Sequence, residues 1–297
     1  MTATTHTATE VTTTPETPTR RRRRRRGAGD WGVLAAVVVG ALLVAFPFVV
    51  ILLNSFKSPT DYATGGPLDL PSSLYLDGIV DFWNRVDFPV KLWNSLVISG
   101  VVAVAAVVIS VLNAFALGIG RVRGRAPLIL VFLMANMLPQ EVLLYPLYEM
   151  FKAVGLYDSK IAVIVIFTVI QSAFGTYLLS SVYGTFPKEV LEAASLDGAG
   201  RWTILWRVIV PISRPTLGVL MVFFFIWTWN EFLIPLTFLI DNANQTVPVA
   251  ISLLQGDRLM DVTTTSASAL LGLLPTLVFF LIFQRTLARG ITAGAVK

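Results

Sequence analysis

Residues 96–119 read LVISGVVAVAAVVISVLNAFALGI, an apolar run without a charged side chain. At about 1.5 Å per residue, a helix of this length crosses the roughly 30 Å hydrocarbon core of a bilayer. The whole chain agrees with this interpretation, because 55% of its 297 residues are hydrophobic and only 14% are charged. Soluble domains carry about 25% charged residues, so this chain cannot cover itself with polar surface. The composition excludes an ordinary soluble enzyme and predicts an all-α membrane protein.

Five other apolar segments are long enough to cross a membrane, which gives six predicted transmembrane helices. The six cover residues 31–53, 96–119, 127–148, 161–183, 217–239 and 266–283. Prolines inside some of them are tolerated where neighbouring helices satisfy the freed backbone groups. The apolar residues 247–254 are too few to cross and are predicted to be interfacial or re-entrant. Residues 31–297 are therefore predicted to form one transmembrane domain.

The N-terminal residues 1–30 have a different composition, rich in Thr and Pro and ending in the run Arg20–Arg26. A segment with so little apolar content cannot build a core, so we predict a disordered basic tail. An arginine run can bind nucleic acid, but no aromatic residues are interleaved here to stack on bases. Contact with anionic lipid headgroups is therefore favoured, and no nucleic-acid partner is expected.

The basic residues predict the orientation of the chain. With the N-terminus in the cytoplasm, the cytoplasmic segments hold 17 of the 23 Lys and Arg residues. Positive charge is concentrated on the cytoplasmic side of membrane proteins, so six spans with both termini cytoplasmic are predicted.

Several chemistries are excluded by what the sequence lacks. Cysteine is absent and His6, in the tail, is the only histidine, so we expect no catalytic or metal site built on thiolate or imidazole. The Gly-x-x-x-x-Gly-Lys-Ser/Thr pattern that cradles ATP phosphates is also absent. The chain is thus expected not to be an enzyme, and to bind no cofactor of its own.

The polar segment 184–215, between the fourth and fifth spans, carries the most informative motif. It reads FPKEVLEAASLDGAGRW at 186–202 and VIVP at 208–211. Pro187 suits the first position of a helix, and Gly198 permits a turn with positive φ. A second amphipathic segment, residues 202–210, is predicted to end at Pro211. The pattern predicts a cytoplasmic helix-turn-helix.

The residues Glu192-Ala193-Ala194 are followed by Gly198 and by an apolar-x-apolar-Pro pattern that ends at Pro211. This spacing resembles the EAA loop of binding-protein-dependent ABC importers. That family usually ends the motif in Ile-x-Leu-Pro, and residues 208–211 make two conservative departures from it. Shorter matches occur in the expected order at residues 54–57, 94–95, 114–117, 146–148, 229–232 and 290–297. Together they resemble the carbohydrate-importer permeases of the maltose type, specifically the smaller permease of the pair.

This resemblance implies a type I ABC importer permease fold and a subunit of the bacterial cell membrane. It implies uptake of a mono- or oligosaccharide that an extracytoplasmic binding protein delivers. The implied partners are a second permease, membrane lipids and an ABC ATPase dimer, which uses ATP and Mg²⁺. The residues implied to dock on the ATPase are Glu192, Ala193, Ala194, Asp197, Gly198 and Pro211.

Three polar residues, Gln171, Asn230 and Glu231, fall inside predicted spans. Polar groups at membrane depth are costly and usually functional, so they are candidates for the transport pathway. The alternative is that they form hydrogen bonds that lock helices together, including across the subunit interface.

Two further functional alternatives stay open at this point. The substrate of an importer could be a polyol or a glycerol phosphate instead of a sugar. An ion-coupled secondary transporter is also conceivable, with Glu231 as its ion site.

The composition of the N-terminal tail leads to a testable prediction. Deleting residues 1–19 should change uptake little, whereas neutralising Arg20–Arg26 should partly reduce correct insertion. Inversion is not expected, because the remaining Lys and Arg still favour the same orientation by 10 to 6. Membrane yield and side-specific labelling measure both effects. A strict requirement of transport for residues 1–19 would contradict this prediction.

Overall fold

The computed structural model describes residues 28–120, 122–255 and 261–295, and every regular element in these ranges is a helix. The predicted all-α fold class is confirmed for this part of the chain. Residues 1–27 of the predicted tail, with Arg20–Arg26, lie outside the described residues. Residues 28–30, also assigned to the tail, are instead the first turn of a helix.

The chain divides into two compact units, Met1–Pro47 and Phe48–Lys297. The described part of the first unit is the start of α1 (Ala28–Asn54), which continues into the second unit. The side chains of α1 from Trp31 to Leu53 are apolar on all sides, with Val37, Leu42 and Leu43 mostly exposed. A helix that is hydrophobic all round without being buried in protein is typical of a membrane span.

The second unit contains the other helices. In chain order they are α2 (Pro59–Gly65), α3 (Asp77–Arg85), α4 (Phe88–Gly118), α5 (Arg125–Met137), α6 (Gln140–Ala153), α7 (Lys160–Gly184), α8 (Lys188–Leu196), α9 (Arg201–Ile204), α10 (Val210–Trp229), α11 (Leu233–Phe238), α12 (Val247–Gln255) and α13 (Val262–Ala295). A π-helical turn, Leu205–Ile209, joins α9 to α10. A 3₁₀ turn, Asn242–Asn244, lies between α11 and α12.

Five of the described helical stretches are long and apolar enough to cross a membrane, or six if the bent pair α5–α6 counts as one span. The prediction of a single helix over 127–148 differs from the structure, because α5 and α6 meet at 96°. The bend lies at Leu138 and Pro139. A residue before proline is forced toward extended backbone, and Leu138 has φ −71° and ψ 125°.

The helix predicted to end at Pro211 does not end there. Residues 201–229 form one continuous helical stretch, so the second half of the predicted loop belongs to a membrane helix. The π turn ends just before Pro211, and the Val210 N–H donates to the carbonyl of Leu205, five residues back. This wider turn lets the chain continue past a residue that has no N–H and whose ring would clash with an α-helical carbonyl.

The predicted fifth span, 217–239, is interrupted between α10 and α11. Pro235 has no N–H to offer the carbonyl of Glu231, so the helix loses the bond that would carry it across this position. The end of α10 is closed at Asn230, whose backbone N–H (3.1 Å) and Nδ2 group (2.7 Å) both donate to the Ile226 carbonyl. Asn230 and Glu231 therefore lie at a helix break and not within a span.

The centre of the second unit is the pair α4–α7, against which α10 packs. Small residues bring the backbones of α4 and α7 together. A Cβ added at Gly175 would lie 2.8 Å from the Ser110 Cβ and 3.0 Å from the Phe224 Cζ. Ser110 Oγ donates to the carbonyls of Ala106 (2.6 Å) and Ser172 (3.3 Å), so this contact buries no free hydroxyl.

At the end of the bundle away from α8, the segment 240–247 is fastened to α4. Asn94 donates through Nδ2 to the carbonyls of Ala243 (2.8 Å) and Gln245 (3.0 Å). The Asn94 Oδ1 accepts from Lys160 Nζ of α7 at 3.0 Å. The segment is therefore held by α4, which is itself bonded to α7 through Asn94.

Asp158, just before α7, fastens the same segment from the other side. Its Oδ1 accepts the backbone N–H groups of Ile240 (2.9 Å) and Asp241 (3.0 Å). The buried Lys91 Nζ donates to the Asn242 carbonyl. These bonds satisfy backbone groups that an irregular segment would otherwise leave unpaired.

The close contact of α4 and α7 yields a prediction. Gly175→Ala should lower stability by about 1–3 kcal/mol, because the added methyl has no free space. Thermal unfolding of the purified protein in detergent measures this effect. Gly100→Ala on α4 is the matched control, since a Cβ there meets nothing within 4 Å. Equal melting temperatures for the two variants would contradict the packing argument.

Candidate functional site

The first candidate site is the surface of α8, which connects α7 to the α9–α10 helix. The N-cap position of α8 is Pro187, with φ −57° and ψ 123°. A proline here costs no hydrogen bond, because the first N–H groups of a helix have no intrahelical partner. Glu189 follows in the first turn, where a carboxylate is favoured by the helix dipole.

Gly198 forms the C-terminal stop of α8. Its φ is +78°, in the left-handed region. The Gly198 N–H donates to Ser195 O at 3.1 Å, and the Ala199 N–H donates to Ala194 O at 3.0 Å. This pair of bonds is a Schellman motif, which satisfies carbonyls at the helix end. The expected turn with positive φ is confirmed.

The inner face of α8 packs on the rest of the bundle. Leu191 and Ala194 are half-buried against a cluster that includes Tyr183 and Leu205. The side chain of Val190, which precedes Leu191, is 38% exposed. The α8 helix thus contacts the bundle through a narrow apolar stripe. Its remaining side chains are available to contact another protein.

The outer face of α8 carries the motif residues. Glu192, Ala193, Asp197 and Gly198 are all exposed. Leu196 is 89% exposed, and it lines a shallow depression with Leu191, Glu192 and Ser195. Leu196 is not among the residues predicted from the sequence. The sequence signal for Leu196 is its position two residues beyond Ala194. In a helix with 3.6 residues per turn, this spacing places the two side chains on opposite sides.

Pro211 is placed differently from the other motif residues. It is half-buried at the start of α10, within the continuous helix that begins at Arg201. Pro211 therefore contributes to the course of this continuous helix. The exposed residues of α8 and the helix that contains Pro211 are joined through the turn at Gly198 and Gly200.

The second candidate site is the break at the other end of α10. Gln171 of α7 is fully buried, and its Nε2 donates to Thr228 Oγ1 at 2.7 Å. This bond links α7 to α10, as the helix-locking alternative requires. The Glu231 N–H donates to the carbonyl of the same Thr228 at 3.2 Å. Thr228 thus connects Gln171 to the break.

Asn230 and Glu231 share one open depression at the break. The Asn230 side chain is exposed, whereas Glu231 is half-buried beside the backbone N–H groups at the start of α11. The residues that line the depression are Val222, Phe223, Ile226, Trp227, Asn230 and Glu231. Two polar side chains therefore converge on an otherwise apolar and aromatic surface.

In the described ranges, no group of three or more His, Cys, Asp and Glu side chains is arranged to hold a metal ion. The two sites therefore offer a docking face on α8 and a mixed polar and aromatic surface at the break. The geometry suits binding and movement.

Residues 107–293 match the family model described as binding-protein-dependent transport system inner membrane component. The chain is 33% identical over 269 residues to the trehalose transport system permease protein SugB of Mycobacterium tuberculosis. That alignment covers 90% of this chain and 97% of the relative. It is 30% identical over 257 residues to the lactose transport system permease protein LacG of Rhizobium radiobacter, covering 86% and 92% of the two chains.

A solved structure supports the same fold. A bacterial ABC transporter involved in the import of the acidic polysaccharide alginate contains a chain that matches with a TM-score of 0.76. The match covers 87% of this chain and 98% of that chain, at 20% sequence identity. The type I importer fold that the sequence implies is thereby confirmed.

The end of α8 yields a prediction. Gly198→Ala should destabilise this end by about 1–2 kcal/mol, because left-handed backbone is costly with a Cβ, and Gly198→Val should cost more. Gly198→Asn should be milder, since Asn tolerates this conformation. Proteolysis at residues 184–200 and uptake measure the effect. Gly200→Ala is the control, because Gly200 has φ −70° and free space around it. Wild-type behaviour of Gly198→Val would exclude a need for the turn.

Proposed function

Because the chain belongs to the family of binding-protein-dependent transport system inner membrane components, we propose that it is the smaller permease subunit of an ATP-driven sugar importer. The observation that carries this proposal is the exposed outer face of α8, with Glu192, Ala193 and Gly198 in motif spacing. A multi-pass membrane chain without a phosphate-binding loop needs a separate source of energy. The face of α8 is a surface on which an ATPase subunit can dock.

The fold supports a way to transmit the movement of the ATPase. The α8 helix is followed by one continuous helix from Arg201 to Trp229, 29 residues long. At about 1.5 Å per residue, this helix extends about 43 Å from the docking surface. Binding of ATP and Mg²⁺ closes the ATPase dimer. The open and closed dimers contact α8 differently, and this difference shifts the continuous helix Arg201–Trp229 between two orientations.

The partners follow from this mechanism. A second permease encloses the pathway together with this chain, and an ABC ATPase dimer docks from the cytoplasm. An extracytoplasmic binding protein delivers the substrate to the opposite side. This arrangement requires both termini of the chain to lie in the cytoplasm of a bacterial cell. The chain itself binds neither ATP nor Mg²⁺.

The relatives support a sugar as the substrate, since SugB and LacG carry the names of trehalose and lactose systems. A polyol or glycerol phosphate is the second candidate within the same class. An ion-coupled secondary transporter is not favoured, because transport driven by an ion gradient does not require an ATPase-docking surface such as that of α8.

The decisive experiment is purification of the complete complex and its reconstitution in liposomes. Loaded binding protein should stimulate ATP hydrolysis, and a neutral disaccharide such as trehalose or lactose should accumulate only when ATP is present. Accumulation without nucleotide, driven by a proton or sodium gradient, would overturn the proposal.

Glu192 provides a sharper test of the docking surface. Glu192→Lys should leave membrane insertion unchanged, because the side chain is exposed. Co-purification of the ATPase should fall by about tenfold or more and uptake should be lost, because a favourable charge contact becomes a repulsive one.

Glu149→Lys is the matched control for Glu192→Lys. It introduces the same charge change at an exposed position on α6, outside residues 184–215. This variant should retain the ATPase. Normal ATPase recovery and normal uptake in Glu192→Lys would exclude a role for this carboxylate in docking.

A further inference from the structure

We propose that the depression at the α10–α11 break is a subsite of this chain for an uncharged sugar ring, formed by Trp227, Asn230 and Glu231. The proposal rests on the proposed function and names a substrate class for it. The depression lies at the end of α10 away from α8. It therefore belongs to the part of the continuous helix that is most distant from the docking surface.

The apolar part of this subsite is an aromatic surface with a fixed shape. Phe223 stacks on Phe174 of α7 with ring centroids 5.7 Å apart. Trp227 meets Phe223 edge-on at 5.6 Å and Phe174 at 6.4 Å. Because the three rings support one another, Trp227 is held in place before a ligand arrives. An aromatic plane of this kind suits the C–H face of a sugar ring.

The polar part of the subsite is oriented by the helix break. The Asn230 amide is held by its Nδ2 bond to Ile226 O, which leaves its Oδ1 available as an acceptor. The half-buried carboxyl of Glu231 lies beside the first N–H groups of α11. An amide oxygen and a carboxyl can both accept hydrogen bonds from hydroxyl groups. These acceptors stand next to the aromatic plane, as recognition of a polyhydroxylated ring requires.

The lining of the depression selects against anionic sugars. Among the residues described as lining it, the ionisable side chain is the carboxyl of Glu231. None of the residues described as lining the depression is Lys or Arg. Phosphates and carboxylates are bound by guanidinium or ammonium groups, often in bidentate geometry. A sugar phosphate, a uronate or glycerol phosphate would therefore find no counter-charge here.

The first test is transport by the reconstituted complex. The probe is whichever of trehalose and lactose the wild-type complex accumulates. Trp227→Ala and Glu231→Ala should each lower the sugar accumulated per ATP hydrolysed, by about tenfold for Trp227→Ala. ATP hydrolysis stimulated by loaded binding protein should persist, because α8 is intact. Trp93→Ala, at an exposed tryptophan on α4, is the matched control and should transport normally.

The second test measures ligand class directly. Saturation-transfer NMR on the purified permease pair, without binding protein, compares the neutral disaccharide with its 6-phosphate. The neutral sugar should receive magnetisation from the wild type. It should also receive magnetisation from Glu231→Gln, because this variant can still accept hydrogen bonds. It should receive little or none from Trp227→Ala. The phosphate should receive little in the wild type.

The outcomes separate the two proposals. If the wild-type complex accumulates no sugar, the proposed function fails. If it does, but Trp227→Ala and Glu231→Ala transport normally, the depression is a lipid-facing surface and the subsite is wrong. If either variant instead loses the second permease on purification, the depression is a subunit interface and the subsite is again wrong. Equal binding of the phosphate would overturn the substrate class.

Discussion

Every backbone N–H and C=O group within a bilayer must find its hydrogen bond inside the protein, and the rest of this structure depends on that constraint. It explains why the described ranges contain only helices. It also makes each departure from α-helical bonding informative. Three departures occur, at 138–139, 205–209 and 230–232, and a proline lies at or near each of them. Proline removes one donor, and the surrounding structure provides a different solution each time.

The three solutions have different mechanical consequences. At Pro139 the chain turns by 96°. At Pro211 the π turn keeps the helix continuous, so the helix that leaves the docking region stays in one piece. Ahead of Pro235 the helix stops at Trp229 and restarts at Leu233, and the segment that follows is bonded to Lys91, Asn94 and Asp158. A continuous helix thus ends next to a segment that is fixed to the centre of the bundle.

The sequence predicts what depends on composition and on local steric rules. The apolar runs locate α1 and α7 within three residues of each end, whereas α4, α10 and α13 begin or end well outside the predicted spans. The turn at Gly198 follows from the freedom of glycine at positive φ. Prolines are harder to interpret, because the same residue bends, interrupts or accompanies a helix according to its tertiary surroundings. The sequence therefore predicts a helix end at Pro211 and an unbroken span across Pro235. The break that puts Asn230 and Glu231 at the end of α10 depends on the tertiary surroundings. The fixed segment at 240–247 has no local signal, since its bonds join residues about 80 to 150 positions apart.

The π turn at Leu205–Ile209 also sets the rotational phase of the protein. Each residue in an α-helix advances the chain by about 100° around its axis, and a π turn accommodates one residue more than an α-helical turn does. The face of α10 that carries Trp227 and Asn230 is therefore oriented relative to α8 by the number of residues between them. A lineage that lost one residue from this turn would have an unbroken α-helix and almost unchanged side-chain chemistry. Its aromatic surface would nevertheless point about a quarter turn away. The number of residues between α8 and the aromatic surface of α10 is therefore more strictly constrained than the identity of most of those residues.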